Sequence, residues 1–165
     1  MIGNDVIDLT LARVQSDWQR KGFIAKIFTM AEQQIIQIAA DPEIMVWTLW
    51  SRKEAAYKIY NRETQIRRYN PLQFECSPMQ RCDYYYYGTV VFQNTIYYSK
   101  TEVNAKFVDT VAVNDKADFD KIYTLENSEN ISKKDGIPSR YCSILKTTRP
   151  VSISHHGTFK RIISI

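Results

Sequence analysis

Trp50, Glu54 and Lys58 recur every four residues, and in a helix that spacing lines them up along one stripe. A carboxylate one turn from a tryptophan and one turn from an ammonium sits at the edge of a core, partly desolvated. There it can ligate a hard cation, or it can form an ordinary surface ion pair with Lys58 worth about 0.3–0.5 kcal/mol. The local pattern admits both. A second acid, Asp5, lies far upstream in Gly3-Asn4-Asp5-Val6-Ile7-Asp8, where Asp5 and Asp8 could also serve as turn formers or caps. Near the other end, Ser152, Ser154, His155, His156 and Gly157 precede Lys160 and Arg161, a set able to form charge-assisted bonds to phosphate. A histidine at a strand end can equally well be satisfied by a backbone carbonyl.

The elements that must position these residues are legible from their punctuation. Asp41, Pro42 and Glu43 combine a side-chain acceptor, a proline that needs no N–H and a negative charge, and so start a helix. No Gly or Pro interrupts the run from there to about Arg62, and Val46, Leu49, Trp50, Ala56, Ile59 and Tyr60 mark its buried face. Thr29 and Glu32 form a capping box ahead of Ile35, Ile36 and Ile38, which accounts fully for both polar residues. Residues 10–27 read as a short helix, a turn at Gly22 and another helical turn. Residues 2–9 suit a short strand.

From Phe74 onward the composition changes to Tyr, Val, Thr and Phe, and Tyr84–Tyr87, Gly88–Phe92, Thr95–Tyr98 and Phe107–Val113 read as an antiparallel meander. The four-tyrosine run lacks interleaved Arg or Lys, so sheet packing suits it better than base stacking. Residues 114–136, rich in Asp, Asn, Ser and Lys, read as an exposed connection. The chain then ends in a strand hairpin. The expected fold is therefore α+β, a single domain over residues 1–165 with an N-terminal strand and three helices packed on one antiparallel sheet built from the middle and the C-terminal hairpin.

A chain of 165 residues that is 44% hydrophobic can bury a full core. No stretch approaches the roughly 20 apolar residues of a membrane span and the N-terminus lacks signal-peptide regions, so a soluble cytoplasmic protein is expected. Cys76, Cys82 and Cys142 show no paired spacing and are expected to be reduced. Net charge is +4, distributed as +2 over residues 1–70, −3 over 71–120 and +5 over 121–165. Basic ends around an acidic middle favour a phosphorylated ligand or an acidic partner over a general nucleic-acid grip.

Three pieces of the chain, in order, resemble the 4′-phosphopantetheinyl transferase superfamily, particularly its short holo-acyl-carrier-protein synthase type. They are Gly3-Asn4-Asp5-Val6-Ile7, Trp50-Ser51-Arg52-Lys53-Glu54-Ala55-Ala56-Tyr57-Lys58 and Val151-Ser152-Ile153-Ser154-His155, with Phe28-Thr29-x-x-Glu32 between the first two. The β-rich stretch of residues 70–145 carries no matching motif. The resemblance implies Mg²⁺-dependent transfer of 4′-phosphopantetheine from coenzyme A to a serine of an acyl or peptidyl carrier protein, releasing 3′,5′-ADP, as in fatty acid biosynthesis. It implies Asp5 and Glu54 as metal ligands, with Glu32 or a water as the third, and Glu54 and Lys58 as catalytic groups. Lys53, Lys58 and His155, joined by Ser154 and Lys160 of the terminal hairpin, would meet coenzyme A. Ile7 stands where the longer type carries a further acid, and the oligomeric state stays open. Neither nucleic acid nor membrane is an expected partner. The alternatives are a non-catalytic relative that binds coenzyme A or a carrier protein, and a small basic RNA-binding α+β domain, which would need neither Asp5 nor Glu54.

Overall fold

The computed structural model describes residues 1–165. Its α+β fold opens with β1 (Ile2–Asp8), whose last residue already serves the next element: the Asp8 carboxylate accepts from Thr10 N and Leu11 N and caps α1 (Leu9–Gln15). After α2 (Phe23–Ile27), the Thr29/Glu32 capping box starts α3 (Met30–Ile38), with both reciprocal bonds formed. The Asp41 carboxylate accepts from Ile44 N and starts α4 (Pro42–Thr64), the long central helix. These starts follow the sequence signals because capping is a local interaction.

Five strands follow: β2 (Glu75–Cys76), β3 (Gln80–Cys82), β4 (Tyr85–Phe92), β5 (Thr95–Val103) and β6 (Phe107–Val113). With β1 they form one antiparallel sheet in the order β1-β6-β5-β4-β2, and β3 pairs with β4. A second antiparallel sheet contains β7 (Tyr123–Thr124), β8 (Ile131–Lys134), β9 (Ile137–Cys142), β10 (Thr147–His156) and β11 (Phe159–Ser164), ordered β7-β11-β10-β9-β8. The terminal hairpin thus belongs to a sheet of its own, which corrects the expectation of a single sheet. Residues 114–136 are also more than a connection: they hold a 3₁₀ turn at Lys116–Lys121 and strands β7 and β8. Such short, solvent-facing edge strands lack the alternation that marks a half-buried strand.

The tyrosines also differ in part from their reading. No cation is interleaved with them in sequence, yet neighbouring strands bring Lys100 to 3.9 Å from the Tyr85 ring centroid and Arg81 to 5.9 Å from that of Tyr86. These rings are part of sheet packing all the same. All three cysteines are free, and no helix is long and apolar enough to cross a membrane.

Helix α4 packs across β1 and β6, burying Val46, Leu49, Ala55, Ala56 and Ile59. Gly3 permits the contact, since a Cβ there would collide with the Ala55 carbonyl. The same helix also buries charge. Lys53 is fully enclosed; its Nζ lies 2.7 Å from Glu32 Oε2 and donates to the Pro71 and Phe74 carbonyls at 2.8 and 2.5 Å. Glu32, equally enclosed, also accepts from Thr29 N at 2.8 Å and Cys76 N at 2.7 Å. Arg52 is buried too and donates to Ser99 Oγ, Ser77 O and Thr89 O. Gly88 leaves the room its guanidinium occupies. Each buried charge is therefore hydrogen-bonded on several sides, the condition under which such burial is tolerated.

Removing one partner should expose the cost. Lys53→Met leaves the Glu32 carboxylate unpaired in the core and should destabilise the protein by about 3–5 kcal/mol in urea unfolding, whereas Lys53→Met with Glu32→Gln should recover much of that loss. A single variant as stable as wild type would show that the pair does not hold this part of the core.

Candidate active site between β1, α4 and β10

Only one edge of β1 is paired with a strand. Along the other, Asn4 N donates to Ser152 Oγ at 2.9 Å and Asp8 N donates to His156 Nδ1 at 2.9 Å. On that edge Asn4 O is met from α4 by Lys58 Nζ at 2.6 Å; Ser51 Oγ, also on α4, donates to Asp5 O at 3.2 Å. Lys58 also donates to Ile153 O of β10 at 3.3 Å. The strand, the helix and the second sheet meet around the Asp5 side chain.

Lys58 Nζ lies 3.5 Å from Asp5 Oδ1. Burial pushes the Asp5 carboxyl up from 3.8 to about 6, against the downward pull of Lys58 and the Ser51 hydroxyl; the charge of Asp109 adds to the rise. Burial also raises Glu54, from 4.5 to about 7, and the next largest cause is the negative charge of Asp5. Lys58 and the Tyr69 hydroxyl pull Glu54 the other way. The charge of Asp5 thus reaches Glu54 across nearly fifty residues of sequence. Two half-buried carboxylates, with a lysine that only partly neutralises them, form a hard-oxygen pair suited to a divalent cation.

A pocket of about 240 Å³ opens beside Asp5, walled by Phe23, Trp47 and Trp50 with His155 and His156 at its rim. His155 is exposed, and Lys160 stands opposite it in the hairpin register, exposed as well. The Asp8 N–H bond needs a lone pair on His156 Nδ1, so that ring carries its proton on Nε2.

Other expected site residues are engaged elsewhere. Lys53 points its ammonium into the core at Glu32 and cannot reach a bound phosphate; the neighbouring positions 53 and 54 lie about 100° apart on a helix, so they serve different surroundings. Glu32 spends its oxygens on Lys53, Thr29 N and Cys76 N, and does not join Asp5 and Glu54. No group of three or more His, Cys, Asp or Glu side chains assembles at the acids. Ser154 is buried and accepts from Asn4 Nδ2 at 3.1 Å, because the Ser152/Ser154/His156 face of β10 turns toward β1. Arg161 is held by Asp109 at 2.6 Å and lies over the Phe107 and Phe159 rings.

Sequence reasoning missed Tyr69, which comes from the loop after α4, packs on Trp50 and Tyr57, and sits beside Glu54. Its hydroxyl is buried and makes no hydrogen bond of ordinary geometry, but it lies near enough to Glu54 to pull that carboxyl down; burial and the Glu54 charge raise its own pKa. No local signal distinguishes it from the other ten tyrosines.

The chain belongs to the 4′-phosphopantetheinyl transferase superfamily, whose family model matches residues 1–112. That span includes Asp5, Glu54 and Lys58 and extends through the β2–β6 meander, where no motif was legible; it ends before the second sheet. No curated protein matches the chain.

The two raised acids give the fold a pH signature. Between about pH 4 and 7 the folded protein binds more protons than the unfolded chain, so in EDTA its stability should fall as pH rises through that window and level off above it. Denaturation at pH 4.5 and 7.5 should show a loss on the order of 1–3 kcal/mol that is absent from Asp5→Asn/Glu54→Gln. Equal pH slopes for the two proteins would contradict the raised carboxyls of Asp5 and Glu54.

Proposed function

We propose that the protein transfers the 4′-phosphopantetheine group of coenzyme A to a serine of an acyl or peptidyl carrier protein, in the manner of holo-acyl-carrier-protein synthases. The observation that carries this reading is the meeting of Asp5, Glu54 and Lys58 at the edge of β1, within a chain of this superfamily.

Asp5 and Glu54 are the residues that would hold Mg²⁺, which when bound supplies charge neutralisation for the substrate's diphosphate. The serine hydroxyl attacks the β-phosphorus, a new P–O bond forms to the serine oxygen, and the bond to the bridging oxygen breaks to release 3′,5′-ADP. Glu54 takes the hydroxyl proton. Lys58, oriented by the Asn4 and Ile153 carbonyls and 3.5 Å from Asp5, brings its positive charge to the charge developing on the departing phosphate. His155 and Lys160, both exposed on the terminal hairpin, offer further contacts to the coenzyme's phosphates.

Incubation with apo-acyl carrier protein, coenzyme A and Mg²⁺, read by intact mass, should show addition of one phosphopantetheine to the carrier. EDTA should abolish it. Glu54→Gln should lower rate and Mg²⁺ response together, while Lys58→Ala should lower kcat by roughly 10²–10³-fold without rescue by excess Mg²⁺. A Lys58→Ala protein working at the wild-type rate would reduce Lys58 to a structural ion pair.

A further inference from the structure

One turn beyond Lys58 on α4 stands a second cation, Arg62, and the transferase mechanism above makes no use of it. Its Nη2 donates to Pro138 O at 3.0 Å and Val151 O at 2.5 Å, both neutral acceptors. Its Nε is buried without a partner, and Nη1 bonds nothing in the protein. Burial pulls the guanidinium below its ordinary pKa. Arg52 also lacks a carboxylate, but its Nε, Nη1 and Nη2 all donate; the half-buried Arg62 guanidinium has neither a carboxylate nor partners for Nε and Nη1, so the desolvation cost of its charge is not offset.

Beside it lies a cavity of about 120 Å³. That is room for about four waters at roughly 30 Å³ each, enough for one phosphate group. Lys58, Asn61 and Arg62 line one wall; Pro138, Val151 and Ile153 contribute to the other, and no Asp or Glu lines any part. The two walls are in step. Lys58 and Arg62 are about 6 Å apart along the helix at 1.5 Å per residue. The carbonyls they meet, of Ile153 and Val151, are about 6.6 Å apart along the strand. A ligand with two phosphate groups could meet one cation with each.

We propose that this cavity is a phosphate-binding site and that Arg62 holds a phosphate group of the coenzyme on the side of Lys58 away from Asp5. The identity of the ligand rests on the transferase reading; the anion site rests on the uncompensated guanidinium and the acid-free cavity. Arg62 is a binding residue here, and the β8–β9 turn and β10, outside the span of the family match, give the site its second wall.

The test is calorimetry in EDTA with inorganic pyrophosphate, coenzyme A and dephospho-coenzyme A, on wild type, Arg62→Gln and Arg62→Lys. Wild type should bind pyrophosphate without metal, Arg62→Gln should bind it and coenzyme A at least tenfold more weakly, and Arg62→Lys should stay within about fivefold of wild type. If the variant weakens coenzyme A but not dephospho-coenzyme A, the 3′-phosphate occupies the cavity; equal weakening of both places the diphosphate there. Because Arg62 also ties two strands to α4, a second measurement needs no variant: the ¹H–¹⁵N signal of wild-type Arg62 Nε should shift on addition of pyrophosphate. Wild-type coenzyme affinity in Arg62→Gln, or an Nε signal that does not move, would overturn the proposal. Failure to modify any carrier protein, with Arg62-dependent pyrophosphate binding intact, would instead remove the transferase reading and leave the anion site standing.

Discussion

The outer edge of β1 is the constraint on which the rest depends. A strand with one unpaired edge must satisfy its N–H and carbonyl groups or invite another strand. Here side chains do it, from Ser152 and His156 on β10 and from Lys58 on α4. A backbone ladder would bring β10 to within about 4.8 Å of β1. Hydroxyl and imidazole groups inserted between them hold the second sheet further off, so a groove remains in which Asp5, Lys58 and the His155 rim can face a ligand. The second sheet is separate for the same reason that the site exists.

Helix α4 shows how one element sends like residues to different ends. Arg52 and Lys53 are both fully buried, yet one is satisfied by neutral oxygens and the other by a carboxylate. Glu54, next in sequence, is opposed by Asp5, and Lys58 bridges Asp5 to the backbone of two strands. What decides each role is the surface the helix meets in that direction: the β2–β5 side, the capped start of α3, or the β1 and β10 edges. Stability gathers on the core-facing side, where the charges are paired or fully hydrogen-bonded. On the groove side two acids repel, and the folded protein carries that strain because the core holds both in place.

This division explains what was legible in the sequence. Local rules gave the helix starts at Thr29 and Asp41, since a cap is written within four residues. The α+β class followed from the change of composition near Phe74. Spacing by four placed Glu54 and Lys58 on one stripe, and the resemblance added Asp5, but neither could say that Lys53 turns inward to Glu32. That outcome depends on where Pro71 and Phe74 arrive after the helix. Ser154 was misjudged for a related reason: strand alternation separates it from His155, but only the neighbouring strand decides which face is buried. Tyr69 and the partners of Arg62 are long-range consequences of loop paths, which no short window of sequence records.

The division of labour between the two sheets follows from the same geometry. Residues 1–112 carry the acids, Lys58 and the helix that aligns them, and these match the superfamily as a unit. The opposite wall of the groove, from Pro138 to His156, lies beyond that match, yet it supplies the carbonyls that orient Lys58 and Arg62 and the imidazole that closes the β1 edge. Changes in the first part act on the charges of Asp5, Glu54 and Lys58. Changes in the second act on the width and polarity of the groove while leaving the acids where β1 and α4 hold them. The second wall is nonetheless tied to the first, because Ser152 and His156 satisfy Asn4 N and Asp8 N of β1.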